Sequence, residues 1–372
     1  MAELLDWRAA EALDTIVSRA VDVLQRGGLV ALPTETVYGV AASPFVAGAV
    51  ERLVQCKGRP EDKPLTLALG SPHEALAWVP GMGKIGKRLA RRGWPGPMTL
   101  VFEQGLDQGM LEHLPLEARQ RIAPHGSLGL RVPAHEAILR VLDRLAGPLV
   151  LTSANRSGEP DAVTGSQIQE TLGATLELII DDGPTHLGQP SSVIRVTDDR
   201  WQVLREGVMP ASLIGSLTTC VVLFVCTGNT CRSPLAAGLC RKLLAERLHC
   251  APDQLPARGF VVLSAGVSAM MGMGATAAAI ETARRRGVDL EGHVSQPLSP
   301  ALLAQADYVF AMTQSHLRAF PMRCGDLGQR MELLASTGED ISDPIGGDEQ
   351  VYDECADRIT ACLQERVTAL EA

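Results

Sequence analysis

The run VVLFVCTGNTCRSPLAAG, which begins at Val221, places a cysteine and an arginine in one short loop. Cys226 and Arg232 are separated by five residues, and Ser233 and Pro234 follow directly. The apolar residues before Cys226 predict a buried strand. Pro234 suits the first turn of a helix, where its missing N–H has no intrahelical partner to lose. A loop that ends at a helix N-terminus turns several backbone N–H groups toward one point, and the helix dipole adds to their attraction for an anion. In that setting Cys226 reads as a thiolate nucleophile, Arg232 as a fork for two phosphate oxygens and Ser233 as a hydroxyl donor to the thiolate. A lone cysteine on an apolar strand would read as packing. Cysteine, five loop residues, Arg, Ser and Pro after an apolar strand form a far more specific combination.

A second set of residues lies earlier in the chain. Lys57 and Arg59 flank Gly58 and offer a point charge and a planar fork to a triphosphate, with Arg205 as a third cation. Ser153 and Asn155, in TSAN, supply a hydroxyl and an amide that can orient ribose, phosphate or a carboxylate. ATP is the kind of ligand this set suits, as a substrate and not as a tightly bound cofactor.

The elements that must position these residues fall into two groups. The stretch EGVMPASLIGSLTTC, residues 206–220, reads as a linker, which gives units of 1–217 and 218–372. Before it, a helix over about residues 11–25 leads through Gly27 and Gly28 into the apolar strand LVALP. SSVIRV and RWQVLR read as further strands, with helical patterns around Ala75 and His135, so a mixed α/β unit is expected. After it, strands VVLFVC, FVVLSAG and YVFAMT alternate with helical stretches near residues 235–248, 275–286 and 301–306. That alternation predicts a doubly wound parallel sheet whose site lies at the carboxyl ends of the strands, where Cys226 falls.

Composition narrows the function further. The 372 residues carry 34 basic and 43 acidic side chains, a formal charge of −9, which argues against a protein whose main task is to coat nucleic acid. One basic run, GKIGKRLARRGW, has Lys84, Lys87, Arg88, Arg91 and Arg92 at helical spacing and is expected to be a solvated helix face rather than an RNA contact. No stretch approaches the ~20 apolar residues that span a bilayer, and the acidic start MAELLDWRAAEALD lacks the features of a signal peptide, so a cytoplasmic location without membrane contact is expected. The nine cysteines are an odd number, and Cys220, Cys226, Cys231, Cys240, Cys250 and Cys324 follow no disulfide framework, so reduced thiols are expected. A reversible disulfide between Cys226 and Cys231 is conceivable as protection of the nucleophile. No paired Cys or His groups show metal-ligand spacing, so no metal site is expected.

The segments GGLVALPTETVYGV, CKGRPEDKPL, WPGPMTLVF, LGLRVP, LTSANRSGEP and SSVIRV followed by LREG resemble, in this order, the YrdC-type threonylcarbamoyl-adenylate synthases over about residues 12–210. The resemblance implies that threonine, bicarbonate and ATP are joined into threonylcarbamoyl-AMP with release of pyrophosphate. Downstream proteins then carry the group to adenosine 37 of certain tRNAs; direct tRNA binding by this chain is left open. It also implies that Lys57, Arg59, Ser153 and Asn155, with Arg205, serve the nucleotide side, and that Thr34, Arg131 and Ser191 serve the threonine side. Catalysis would rest on positioning and charge neutralisation, with no protein nucleophile. Longer members of that family carry a C-terminal domain of another kind.

The phosphate loop, SAG at Ser264, HVS at His293 and DPIGG at Asp343 resemble the low-molecular-weight protein tyrosine phosphatase superfamily from about Val221 to the C-terminus. The resemblance implies that Cys226 attacks phosphorus, Arg232 binds the phosphoryl oxygens, and Asp343 protonates the leaving group and then activates water. Asn229, Thr230, Cys231 and Ser233 would support the loop, and His293 reads as structural. The substrate would be a phosphoprotein. Thr230 stands where tyrosine-specific members carry a larger apolar residue and arginine-specific members carry Thr. Ile345 replaces the aromatic residue that follows Asp-Pro in tyrosine-specific members, although it also departs from the Phe of the arginine-specific pattern. Phosphoarginine is therefore favoured over phosphotyrosine. Arsenate reduction is disfavoured, since no cysteine pair lies between Cys250 and Cys324 to relay a disulfide. The intact Cys, Arg, Ser and Asp set argues against a non-enzymatic phosphate binder. The alternative for the whole chain is one active enzyme domain beside a degenerate regulatory one.

Overall fold

The computed structural model describes residues 1–9, 13–60, 63–145, 147–198, 200–319 and 330–370; Glu11 and Cys324 lie outside them. The chain forms two compact units, Met1–Leu217 and Thr218–Ala372. The stretch expected to be a linker contains the helix Ala211–Thr218. Pro210 opens it, accepting from the Leu213 and Ile214 N–H groups, and Ile214 is fully buried. One apolar anchor outweighs the Gly and Ser content that suggested a loop.

The first unit is built on one mixed ten-stranded sheet. Its strands run in the order Glu3–Asp6, Leu178–Asp181, Val30–Leu32, Gly39–Ala42, Leu149–Ser153, Thr66–Ala68, Leu128–Arg131, Met98–Phe102, Ser192–Val196 and Trp201–Arg205. Alternation along each strand feeds two cores. Ala31, Val40, Leu67 and Val150 join one, and Val30, Ala41, Ala68 and Leu151 the other. The second core is closed by the buried stripe Ile16, Val17, Ala20, Val21 and Leu24 of helix Leu13–Gln25, together with helix Glu136–Leu145. One sheet therefore carries Thr34, Arg131 and Ser153, far apart in sequence, to the lining of a single cavity.

The basic helix Lys84–Gly93 departs from the expected solvated face. Arg88 is buried, Lys87, Arg91 and Arg92 are partly buried, and Arg92 donates to the Leu217 carbonyl at 2.7 Å. Long aliphatic stems let these side chains cover apolar surface while their heads find partners.

The second unit has a four-stranded, wholly parallel sheet in the order Phe260–Gly266, Cys220–Cys226, Tyr308–Ala311 and Arg330–Leu333. The central strand Cys220–Cys226 is buried throughout, as its apolar run predicts. Val222 and Phe224 face a core shared with helices Arg232–Arg247, Ala277–Arg285 and Glu349–Ala369. Val221, Leu223 and Val225 face the opposite core, with Leu303 of helix Pro300–Gln305. Both faces are covered, and the loop after Cys226 emerges at the carboxyl edge of the sheet.

Candidate active sites

In the first unit a cavity of about 280 Å³ opens on the sheet and is lined by Thr34, Arg59, Arg131, Ser153, Ser191 and Arg205, among others. Three guanidinium groups thus converge on one concave space. Burial, and then Arg205, lower the Arg59 pKa; burial lowers that of Arg205, which Arg131 depresses further while Asp161 opposes. Arg59 is fixed by the Pro64 carbonyl at 2.8 Å, and Arg205 by the Ser191 carbonyl at 2.8 Å. Arg131 is paired with Glu35 at 2.8 Å and donates to Thr36 Oγ1 at 2.8 Å, while its buried Nε has no partner. Cations held close together against mutual repulsion form a ready site for a polyanion.

Two of the expected residues sit behind this wall. Lys57 and Asn155 do not line the cavity. Lys57 is buried, and its Nζ donates to the Ser153 carbonyl, to Ser153 Oγ at 3.2 Å and to Asn155 Oδ1 at 2.9 Å. Burial, aided by Arg59, pulls its pKa down to about 8. Ser153 also donates to Asn155 Oδ1 at 2.6 Å, so Lys57 braces the TSAN loop from within. On the other side, Thr34 Oγ1 donates to the Val37 carbonyl at 2.6 Å, and Ser191 Oγ lies 3.0 Å from Thr99 Oγ1.

Sequence reasoning passed over several residues of this site. Glu35 accepts from Arg131 and, at 2.9 Å, from the Ala134 N–H; Lys63, Thr99 and Thr152 line the cavity. The signal for Glu35 was an acidic residue inside the otherwise uncharged run LPTETVYGV.

In the second unit Cys226 ends its strand and is buried, with its Sγ 3.0 Å from Ser233 Oγ; the Asn229 N–H donates to it at 3.3 Å. Asn229 adopts a φ of 57°, a left-handed conformation that asparagine tolerates better than most residues. Its side chain is tied on every side. Nδ2 donates to Ser233 Oγ and Ser264 Oγ, both at 2.9 Å, and Oδ1 accepts from the Gln296 N–H at 2.9 Å. His293 Nε2 donates to the Asn229 carbonyl at 2.7 Å.

Cys231 and Arg232 begin the helix. Cys231 Sγ approaches Tyr352 Oη at 3.4 Å and Thr276 Oγ1 at 3.5 Å, and both loop cysteines are free thiols in this structure. The Thr230 carbonyl accepts from the Thr276 N–H at 2.9 Å. Arg232 is almost fully buried. It donates to the Ile341 carbonyl at 3.0 Å, to Thr227 Oγ1 at 3.4 Å and to Asp343 Oδ2, and its buried Nε has no partner. Asp343 is half-exposed and turns the next loop by accepting from the Ile345 N–H at 3.3 Å. The nucleophile, anion fork and carboxylate, drawn from positions 226, 232 and 343, thus meet.

His316 was not foreseen. It is buried, with Nε2 2.8 Å from Thr227 Oγ1 and Nδ1 2.8 Å from Thr313 Oγ1. Burial, and then the Arg232 charge, lower its pKa.

Residues 22–207 match the Sua5/YciO/YrdC family, described as telomere recombination, and residues 221–372 match the low-molecular-weight phosphotyrosine protein phosphatases. The chain belongs to the first of these families, and its second unit carries the match to the other. A threonylcarbamoyl-AMP synthase of Pyrococcus abyssi is 34% identical over 193 residues, covering 51% of this chain and 54% of its own length. The chain thus spans about half of that relative. One of Xanthomonas axonopodis is 32% identical over 197 residues, 52% of this chain and 99% of the relative. The structure of P. abyssi Sua5 complexed with L-threonine superposes with a TM-score of 0.50 at 19% identity, covering 98% of each chain, which speaks to fold alone.

Proposed function

We propose that the first unit makes threonylcarbamoyl-AMP and that the second hydrolyses phosphoproteins through a cysteinyl-phosphate. For the first, the carrying observation is the convergence of Arg59, Arg131 and Arg205 on one cavity beside Thr34, Ser153 and Ser191. Threonine's carboxylate suits Arg131, with the hydroxyls of Thr34 and Ser191 at hand, and the triphosphate of Mg-ATP suits Arg59 and Arg205. The threonine amine adds to the carbon of bicarbonate, water leaves, and the carbamate oxygen attacks the α-phosphorus as pyrophosphate departs. The enzyme's part is to hold the carbamate in line and to offset the charge gathering on phosphate. Incubation with threonine, bicarbonate and Mg-ATP should release pyrophosphate only when all three are present; release that ignores threonine would overturn the reading.

For the second unit the carrying observation is Cys226 Sγ at the mouth of a loop whose anion fork, Arg232, has a free Nε. An incoming phosphoryl group satisfies that N–H and competes with Asp343 for the guanidinium, which releases the carboxylate to face the leaving atom. Once freed of the guanidinium, Asp343 takes up a proton from solvent; Sγ, as the thiolate, attacks phosphorus, the leaving group takes that proton, and water, deprotonated by the Asp343 carboxylate so formed, then displaces the thiolate. Thr230 and Ile345 favour phosphoarginine, since neither offers an aromatic face to a phosphotyrosine ring. Cys226→Ser should abolish turnover of phosphorylated peptides while leaving inorganic phosphate binding intact, and residual turnover would remove Cys226 from the nucleophile's role.

A further inference from the structure

The large apolar side chains that the second unit exposes, among its described residues, are Met270, Met271, Met273, Val294, Ile345 and Val351. Met270 and Met271 are 73% and 76% exposed and Ile345 65%, values that leave most of each residue in water. They belong to two stretches, 270–294 and 345–351. The methionine turn is bonded to segment 293–296: Ser295 Oγ donates to the Met270 carbonyl at 2.5 Å and accepts from the Met273 N–H at 2.9 Å, and the Gly272 N–H donates to the Ser295 carbonyl at 2.9 Å. Segment 293–296 is in turn bonded to the phosphate loop through His293 and Gln296 on Asn229. The methionines therefore stand on a scaffold that is hydrogen-bonded to the nucleophile's own loop. In the second stretch, Ile345 follows the Asp343–Pro344 turn, and Val351 shares a cavity with Asp343 and Pro344.

The methionine stretch is empty of charge, while the stretch with Ile345 and Val351 carries Asp348 and Glu349. From Phe260 to Ile280 the chain carries no Asp, Glu, Lys or Arg, in a protein where 21% of residues are charged. Exposed apolar residues scattered singly need no explanation, but several on stretches bonded to one catalytic loop mark a contact surface. Methionine is flexible and polarizable, so three of them within four residues suit apolar partners of varied shape rather than one fixed side chain.

We propose that this apolar rim docks the residues flanking the phosphorylated side chain, and that its partner is an extended protein segment with apolar, non-acidic flanks. Such flanks are buried in a folded protein, so the substrate is a chain in an unfolded or locally unfolded state. The inference rests on the phosphatase reading of Cys226 and deepens it.

The test compares three substrates: p-nitrophenyl phosphate, and two phosphopeptides that differ only in flanking residues, Leu and Phe in one, Ser and Glu in the other. Each peptide is made with phosphoarginine and with phosphotyrosine. The wild-type chain should prefer the apolar peptide by tenfold or more in kcat/KM. M270S/M271S/M273S, which alters only exposed positions, should bring that ratio near one and leave p-nitrophenyl phosphate hydrolysis unchanged. Equal use of the two peptides by the wild type, or a preference that survives the triple substitution, overturns the inference and leaves the phosphatase reading standing. Failure to hydrolyse p-nitrophenyl phosphate overturns both. A dimer in sedimentation that dissociates in the triple variant would assign the rim to a second copy of this chain and also overturn the proposal.

Discussion

Lys57 offers a direct test of the first unit's electrostatics. In the ligand-free fold its pKa is about 8 against an ordinary 10.5, with burial as the main cause and Arg59 second. That difference sets a cost of roughly 3 kcal/mol on keeping the ammonium charged. The folded chain therefore binds fewer protons at this group than the unfolded chain between about pH 8 and 10.5. The cost is full below pH 8, and stability rises with pH through that window. A triphosphate held by Arg59 brings negative charge close to Lys57 and restores the ammonium. At pH 8, where about half the groups are neutral, ATP binding should take up about 0.5 proton per site, falling to about 0.1 at pH 7. Calorimetric titration in buffers of different protonation enthalpy measures this number. Lys57→Met, which keeps the stem and removes the charge, should abolish the uptake and flatten the rise of stability above pH 8. Uptake near zero at pH 8 in the wild type, or unchanged uptake in Lys57→Met, would refute the reasoning.

Asp343→Asn should slow cleavage of a phosphate ester with a poor leaving group about 100-fold or more while barely affecting p-nitrophenyl phosphate, because only the poor leaving group needs a proton; equal losses would remove Asp343 from the acid role. Thr230→Ile should shift kcat/KM from phosphoarginine toward phosphotyrosine peptides, and a wild type that already prefers phosphotyrosine would refute the assignment. Thr227→Val deletes the hydroxyl between His316 and Arg232 without changing shape, so inorganic phosphate should bind about fivefold to tenfold more weakly, the worth of about one hydrogen bond, with Thr227→Ser restoring it. If Thr227→Val binds phosphate as the wild type does, that hydroxyl does not position Arg232.

The two sites were not equally legible in the sequence. Cys226, Asn229, Arg232 and Ser233 lie within eight residues, and the strand, loop and helix that hold them are consecutive, so local signals sufficed. Asp343 was readable only through the resemblance, because nothing local says that a turn 111 residues after Arg232 folds back onto it. His316 and Thr227 were missed for the same reason: their 2.8 Å contact joins the loop after strand Cys220–Cys226 to helix Gln314–Arg318, which lies 89 residues further along the chain. In the first unit Arg59, Arg131 and Arg205 meet only because the sheet order is so unlike the chain order. The basic helix failed in the opposite sense. Its spacing was right, but spacing reports which residues share a face and not whether that face is covered.

The two units hold anions by different means, and this separates how each behaves without its ligand. In the first, Arg59 and Arg205 are anchored by carbonyl oxygens, which orient a guanidinium without neutralising it, so the cations of the cavity repel one another. Ligand binding there relieves a cost already present in the fold, and part of the affinity for ATP comes from that relief. In the second, Arg232 is already neutralised by Asp343, and the phosphoryl group must displace a carboxylate to reach it. Affinity is lower by the strength of that pair, but the displaced carboxylate is the group the chemistry needs next. Binding and the release of the acid are thus one event, which couples the readiness of Asp343 to the presence of a phosphoryl group in the loop.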